Sequence, residues 1–186
     1  MSNVYKMTIA GCDRELPICP ISDTLDIAGF VMFGDVEVTK HAAAELLKRA
    51  PEFDVMITAE SKGIPLLYEM ARQSGNNYYI VARKGPKVYM KDVITTEVES
   101  ITTQHKQILC IGSEEAEAMH GKRVLVVDDV ISTGESLKAL ETLIDQVGGK
   151  IVAKMAVLAE GDAIGRKDLT YLAPLPVFHA DGSIIE

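Results

Sequence analysis

The chain carries the stretch VLVVDDVISTGES at residues 124–136, where an apolar run meets two adjacent carboxylates and a short polar loop. A continuous apolar run of this kind is typical of a strand buried on both faces of a parallel sheet. Residues 134–147 follow with apolar side chains at helical spacing, and two glycines close that segment. The stretch therefore predicts a buried strand, an acidic pair at its carboxyl end, and a helix.

The segments on either side repeat the alternation of apolar strands with helices. The pattern predicts a hairpin in residues 1–20, helices at 39–50 and 64–74, and strands at 55–58, 78–82, 107–111, 123–127 and 151–159. We interpret the polar, basic stretch 83–107 as a mobile excursion with a two-stranded ribbon. This alternation predicts an α/β fold, a mostly parallel twisted sheet flanked by helices, as a single domain over residues 1–186.

The composition excludes several classes of protein. The 186 residues include 19 Lys and Arg against 27 Asp and Glu, and this net charge of −8 disfavours general nucleic-acid binding. No apolar run approaches the roughly 20 residues of a membrane-spanning helix, so we expect no membrane partner. Residues 1–6 lack the features of a secretory signal, and three cysteines without C-x-x-C spacing indicate reduced thiols. We therefore expect a cytoplasmic protein.

The acidic pair and the loop after it predict an anion site. Asp128 and Asp129 repel each other unless a cation or hydroxyl donors compensate their charge. Residues 132–136 offer three hydroxyls and a glycine, and the N–H groups at a helix start attract phosphate. The alternative is that Ser132 or Thr133 merely caps the helix. A P-loop nucleotidase is disfavoured because G-x-x-x-x-G-K-[ST] does not occur.

Residues 126–136 resemble the phosphoribosyl pyrophosphate (PRPP) signature of the type I phosphoribosyltransferases, with adenine and xanthine enzymes the most similar. The resemblance implies that Asp128 and Asp129 are the catalytic pair, hold the ribose 2- and 3-hydroxyls and bind Mg²⁺. It implies that the 5-phosphate binds to Ser132, Thr133, Gly134, Glu135 and Ser136, which we call the phosphate loop. Glu135 departs from the glycine usual in adenine enzymes, so its carboxylate must point away from the phosphate or only its amide can bind.

Two further strand ends resemble parts of the same family. Residues 58–64, TAESKGI, resemble its pyrophosphate loop, and residues 82–87 resemble the basic stretch that leads into its flexible hood loop. In isolation, either stretch could be a solvated surface. The implied pyrophosphate ligands are Ser61, Lys62, Gly63, Arg83, Lys84 and Lys87. Residues 84–107 would form a flexible lid that keeps water from PRPP.

The ends of the chain resemble adenine phosphoribosyltransferases more loosely. Residues 1–35 and 165–186 would form a small hood and terminal elements, and residues 165–169 and 176–178 resemble the tail of those enzymes. Residues 32–35 resemble their base-pocket segment, although Gly34 replaces an expected arginine. From the resemblance, Phe33 and Val130 would contact the base.

The resemblance implies a purine phosphoribosyltransferase of nucleotide salvage, which transfers the ribose 5-phosphate of PRPP to a base. Adenine is favoured and would give AMP and pyrophosphate. Ser132 stands where hypoxanthine-guanine enzymes carry an aspartate, which argues against that subgroup. The alternatives are a xanthine enzyme, a non-catalytic PRPP-sensing regulator, and a bare sugar-phosphate or nucleotide-binding module. Mg²⁺ as cofactor and a homodimer are implied as well.

Overall fold

The structure is a computed structural model that describes residues 4–98 and 107–185 of the chain. Its strands are β1 (Val4–Ile9), β2 (Cys12–Pro20), β3 (Leu25–Ala28), β4 (Val55–Ala59), β5 (Ile80–Ala82), β6 (Ile94–Val98), β7 (Gln107–Ile111), β8 (Arg123–Ile131), β9 (Lys150–Glu160), β10 (Thr170–Leu175) and β11 (Val177–His179). Its helices are α1 (Val36–Arg49), α2 (Ile64–Ser74), α3 (Ser113–Met119) and α4 (Glu135–Gln146). Within these described ranges, no helix is both long and apolar enough to cross a membrane.

Five parallel strands form the main sheet in the order β10-β9-β8-β4-β5. Side chains along β8 alternate between the two faces of this sheet, as in any strand. Leu125 and Val127 pack in the same core as α1 and α2, whereas Val124 and Val126 pack with α4. Helices therefore cover both faces of the sheet, and the predicted fold class is confirmed.

A second sheet, which we call the hood sheet, joins the two ends of the described chain. Its four strands are antiparallel in the order β1-β2-β3-β11, and β1 and β2 form the predicted hairpin. Ile9 and Phe178 of the hood sheet share one core with Val38 of α1. The assignment of residues 165–186 to hood and terminal elements needs one correction, because β10 pairs with β9 along its length and is an edge strand of the main sheet.

The ribbon predicted within residues 83–107 is present but is built differently. Strand β6 pairs with β7, so residues 107–111 belong to this ribbon rather than to the main sheet. A bridge between Arg83 and Cys110 joins the ribbon to the end of β5. Helix α3 was not predicted, because seven residues are too few to show a helical period. Residues 99–106 of the predicted lid lie outside the described residues.

Strand β8 is longer than the sequence predicts, because it continues through the acidic pair to Ile131. It pairs with β4 only as far as Val126, whereas its pairing with β9 continues to Ile131. Asp128 and Asp129 therefore lie inside the strand rather than after its end, since β9 alone keeps the backbone extended there. The side of β8 that faces β4 carries no ladder pairing beyond Val126, and the loop that follows β4 approaches Asp128 there at Gly63.

Candidate active site

The acidic pair of β8 lies beside the loop that joins β4 to α2. Asp129 is only 3% exposed, and its Oδ2 lies 3.2 Å from Nζ of Lys62. Among the described residues this Oδ2 has no hydrogen-bond partner, although it forms an ion pair with Lys62. Buried carboxylate oxygens are normally hydrogen-bonded, and spare acceptor capacity of this kind points to a ligand or ion that completes the site.

The surroundings of Asp128 disfavour its charged form. Burial raises the pKa of Asp128 well above its ordinary value, the charge of Asp129 raises it further, and Lys62 only partly opposes the shift. The main-chain N–H of Asp129 donates to Oδ1 of Asp128 over 2.9 Å. Two carboxylates so close together attract a proton or a cation. The pair is therefore suited to accept hydroxyl donors or a metal ion.

Gly63 brings the predicted pyrophosphate loop close to the acidic pair. A Cβ on Gly63 would collide with Oγ1 of Thr58 and would lie 3.0 Å from Oδ1 of Asp128. This position therefore requires glycine for close backbone approach. Helix α2 begins directly afterwards at Ile64, so its N-terminus lies at the same edge of the sheet. Ser61 and Lys62 are exposed there, and the peptide bond before Ser61 is cis.

The basic residues after β5 are connected to the same loop through Glu60. The main-chain N–H of Lys84 donates to Oε2 of Glu60 over 2.9 Å, and Nη2 of Arg83 lies 3.3 Å from Oε1. This hydrogen bond and, to a smaller extent, the charges of Arg83 and Lys87 lower the pKa of Glu60. Within the described part of the chain, Nε of Arg83 is buried without a partner. The structure thus gathers the basic residues beside residues 60–63, although Lys62 and Arg83 already face carboxylates.

The phosphate loop joins β8 to α4. Gly134 is the N-cap of α4 and has a φ of 80°, a left-handed conformation that favours glycine. Ser132 therefore does not cap the helix. Oγ1 of Thr133 accepts a long hydrogen bond of 3.5 Å from the N–H of Glu135. A small cavity of about 70 Å³ opens at the loop and at Asp128. The N–H groups of the first turn of α4 can therefore bind an anion.

Three residues near the site were not identified from the sequence. Glu60 accepts a hydrogen bond from the N–H of Lys84 and forms an ion pair with Arg83, as described above. Glu160 is the last residue of β9, and burial raises its pKa. The positive charge of Lys62 opposes this shift, so Glu160 lies near Lys62. Nη1 of Arg166 would lie 2.7 Å from a Cβ on Gly134, so this guanidinium lies against the phosphate loop. Glu160 directly follows a predicted strand, and Glu60 lies inside the stretch that resembles the pyrophosphate loop, so both positions were available signals, whereas no spacing pointed to Arg166.

The two candidate base contacts lie on different elements. Val130 is half-buried on β8 and lines the small cavity at the phosphate loop. Phe33 lies between β3 and α1, and 52% of its surface is exposed. Beside that segment, a cavity of about 430 Å³ is lined by residues of α1 and α2 and by Met32 and Gly34. The assignment of Phe33 and Val130 to the base stays a prediction.

The acidic pair is also where the family resemblance implies Mg²⁺. Among residues 4–98 and 107–185, no group of three or more His, Cys, Asp or Glu side chains forms a ready-made metal cage. Mg²⁺ is commonly held by one or two carboxylates together with substrate phosphates, and it keeps several waters. Asp128 and Asp129 fit that kind of open site, because Oδ2 of Asp129 accepts no hydrogen bond from the described residues.

Comparison with known proteins identifies the family of this chain. A family model described as "phosphoribosyl transferase domain" matches residues 36–174. An adenine phosphoribosyltransferase of Petrotoga mobilis is 32% identical over 165 residues, which are 87% of this chain and 86% of that protein. One from Cenarchaeum symbiosum is 34% identical over 128 residues, 64% of this chain and 67% of that protein.

A solved structure shows the same fold. The adenine phosphoribosyltransferase of Saccharomyces cerevisiae, complexed with D-2,5-dideoxy-2,5-imino-altritol 1,6-bisphosphate and adenine, has a TM-score of 0.65 at 18% identity and covers 92% of each chain. The matched residues 36–174 include the acidic pair, the phosphate loop and the loops after β4 and β5. The chain therefore belongs to the phosphoribosyl transferase domain family and is a phosphoribosyltransferase.

Proposed function

We propose that this protein transfers the 5-phosphoribosyl group of PRPP to adenine and releases AMP and pyrophosphate. The observation that carries the proposal is the meeting of three loops at one edge of the main sheet. Asp129 lies 3.2 Å from Lys62 of the loop after β4, and the phosphate loop follows the acidic pair on β8. Adenine is favoured because both relatives named above are adenine enzymes.

PRPP would bind across these loops with its two ends in different places. Its 5-phosphate would lie at the start of α4 on the N–H groups of residues 132–136, where the helix end adds about 0.3–1 kcal/mol. Its pyrophosphate would lie near Lys62, Arg83, Lys84 and Lys87. The unpartnered Nε of Arg83 supports this second position, because a buried donor without an acceptor is suited to receive an anion.

The acidic pair would hold the ribose between these two ends. Asp128 and Asp129 would accept hydrogen bonds from the 2- and 3-hydroxyls, and their charge would stabilise the positive charge that develops at the anomeric carbon. Mg²⁺ bound with PRPP would be held by these two carboxylates and would neutralise charge on the departing pyrophosphate. A base nitrogen forms the new bond to the anomeric carbon as the bond to pyrophosphate breaks, and the base loses a proton.

Three further features belong to the proposal. Residues 84–107 would close over PRPP and exclude water, because hydrolysis competes with transfer to the base. The protein would be a homodimer, as the family resemblance implies. It would act in purine salvage in the cytoplasm, which three free cysteines support because reduced thiols persist there.

A pyrophosphate-release assay with a panel of bases tests the activity. The protein, PRPP and Mg²⁺ would be combined separately with adenine, hypoxanthine, guanine, xanthine, uracil and orotate. We expect release with adenine at a rate well above that with any other base. Release chiefly with xanthine would replace the proposed substrate, and PRPP binding without release for any base would favour the sensing regulator instead.

A further inference from the structure

Arg166 lies between Asp168, with which it forms an ion pair, and Gly134 of the phosphate loop. Its Nε and Nη2 donate to the two carboxylate oxygens of Asp168 over 3.0 and 2.8 Å. This two-point pairing leaves Nη1 unused by Asp168. Nη1 is the atom that lies 2.7 Å from the place of a Cβ on Gly134. The guanidinium is thus aimed, by its own ion pair, at the backbone of the phosphate loop.

The ion pair that orients Arg166 is itself fixed to two elements of the main body. Nζ of Lys154, on β9, donates to Asp168 over 2.6 Å and to Glu141 of α4 over 2.7 Å. Hydrogen bonds from Arg166 and Lys154 hold the pKa of Asp168 well below its ordinary value, so Asp168 stays ionised at neutral pH. The consecutive ion pairs Arg166–Asp168–Lys154–Glu141 therefore connect the phosphate loop to α4, the helix that begins at that loop.

The charge of the phosphate loop explains why a guanidinium is useful there. Residues 132–136 include no basic side chain and one carboxylate, Glu135. A phosphate dianion bound to this loop would therefore be repelled by Glu135. Arg166 supplies a positive charge from outside the loop. Arginine suits this position better than lysine, because its planar fork can pair with Asp168 and still present a further N–H group.

We propose that Arg166 is a positioning residue of the phosphate loop, which holds Gly134 in place and raises affinity for the phosphorylated end of the sugar. This inference rests on the proposed function and adds a residue to it. The inference also distinguishes the two ends of PRPP, because Arg166 lies against the phosphate loop, whereas the proposed pyrophosphate ligands follow β4 and β5.

The test measures binding of the two ends of PRPP separately. Ribose 5-phosphate and pyrophosphate would be titrated into the wild type, Arg166→Met and Arg166→Lys, and KM and kcat for PRPP would be measured for each. We expect Arg166→Met to weaken ribose 5-phosphate binding about tenfold, because the phosphate loop loses the guanidinium that lies against Gly134, and to raise KM more than it lowers kcat. Pyrophosphate affinity should change less than about twofold, and Arg166→Lys should recover part of the loss.

Lys167→Met is the matched control, because it removes the same charge from an exposed neighbouring side chain. It should leave both affinities unchanged. Equal loss of ribose 5-phosphate and pyrophosphate binding in Arg166→Met would indicate a general structural role and would overturn the inference, as would unchanged binding of both. If the wild type itself bound neither compound, the proposed function would fail instead.

Discussion

At the residue scale, Asp128 shows that the site is arranged for a ligand rather than for stability. Its carboxyl group is held among buried neighbours beside the negative Asp129, and both conditions raise its pKa. One lysine, Lys62, faces the pair across 3.2 Å. A chain selected only for stability would place a neutral side chain here, because removing a charge from water is costly. The cost is explained if PRPP and a cation normally complete the site.

Asp128→Asn should therefore raise stability while it lowers activity. In the unfolded chain Asp128 titrates near 3.8, and in the folded protein its pKa is higher. Between these two values the folded state binds more protons, so the stability of the wild type falls as pH rises through that window. Asparagine cannot ionise, and its Oδ1 can still accept from the N–H of Asp129. We expect a Tm about 2–4 °C above that of the wild type at pH 7, and slower pyrophosphate release.

Thermal unfolding between pH 4 and pH 7, without ligand, would check this prediction. The gain in Tm should shrink toward pH 4, because the stability that the raised pKa of Asp128 removes is recovered as the pH falls toward the ordinary value of 3.8. Asp145→Asn, at an exposed position of α4, serves as the matched control and should show no such trend. A Tm difference for Asp128→Asn that did not vary with pH would contradict the electrostatic explanation.

At the scale of elements, Asp35 explains why α1 begins three residues earlier than the sequence predicts. Its Oδ1 accepts from the N–H of Val38 over 3.1 Å, which caps the helix that starts at Val36. The same carboxylate accepts from Nε and Nη2 of Arg14, on β2, over 2.7 and 2.9 Å. One side chain therefore both starts α1 and attaches this helix to the hood sheet.

Replacement of Asp35 separates these two roles. Asp35→Ala removes both the cap and the ion pair, and we expect it to lower the free energy of unfolding by about 1–2 kcal/mol. Asp35→Asn keeps an oxygen that can cap the helix, so it should retain part of that difference. Urea unfolding followed by circular dichroism would measure the free energy of unfolding of both variants. Asp23→Ala, at an exposed position of the hood, serves as the control. Equal stabilities for the alanine and asparagine variants would show that the cap contributes nothing.

At the scale of the whole molecule, the hood sheet and the main sheet share a single hydrophobic core. Ile9, Leu16 and Phe178 of the hood sheet pack in the same buried cluster as α1, α2 and one face of β8. Phe178 is 3% exposed, and its ring meets that of Tyr5 edge-on with centroids 5.3 Å apart. The two sheets should therefore unfold together, although no strand belongs to both.

Phe178→Ala tests this shared core. Removal of the ring should cost about 3–5 kcal/mol and lower Tm in a single cooperative transition. Tyrosine fluorescence and far-ultraviolet circular dichroism should report the same midpoint, since six tyrosines are spread along the chain. Ile21→Ala, at a position of the hood that is 55% exposed, should change the midpoint little. Two separate transitions in Phe178→Ala would show that the hood sheet unfolds independently.

Much of the fold could be read from periodicity, and the exceptions have physical causes. Strands β4, β8 and β9 and helices α1, α2 and α4 are long enough to display a pattern, whereas α3 is too short and β10 was not predicted. Residues 107–111 are as apolar as a strand of the main sheet, yet they pair with β6. Strand partners are chosen by contacts between distant segments, and apolar character alone does not specify them.

The sequence by itself determined the alternation of strands and helices, the acidic pair, the phosphate loop and the family to which these motifs belong. These features depend on short stretches whose residue types carry their own chemistry. Only the tertiary structure decided that β8 continues past the acids, that Glu60 fastens the basic residues, and that Arg166 reaches Gly134 from 32 positions further along the chain. Such contacts join residues that are far apart in the sequence, so the spacing of residues within a short stretch does not predict them.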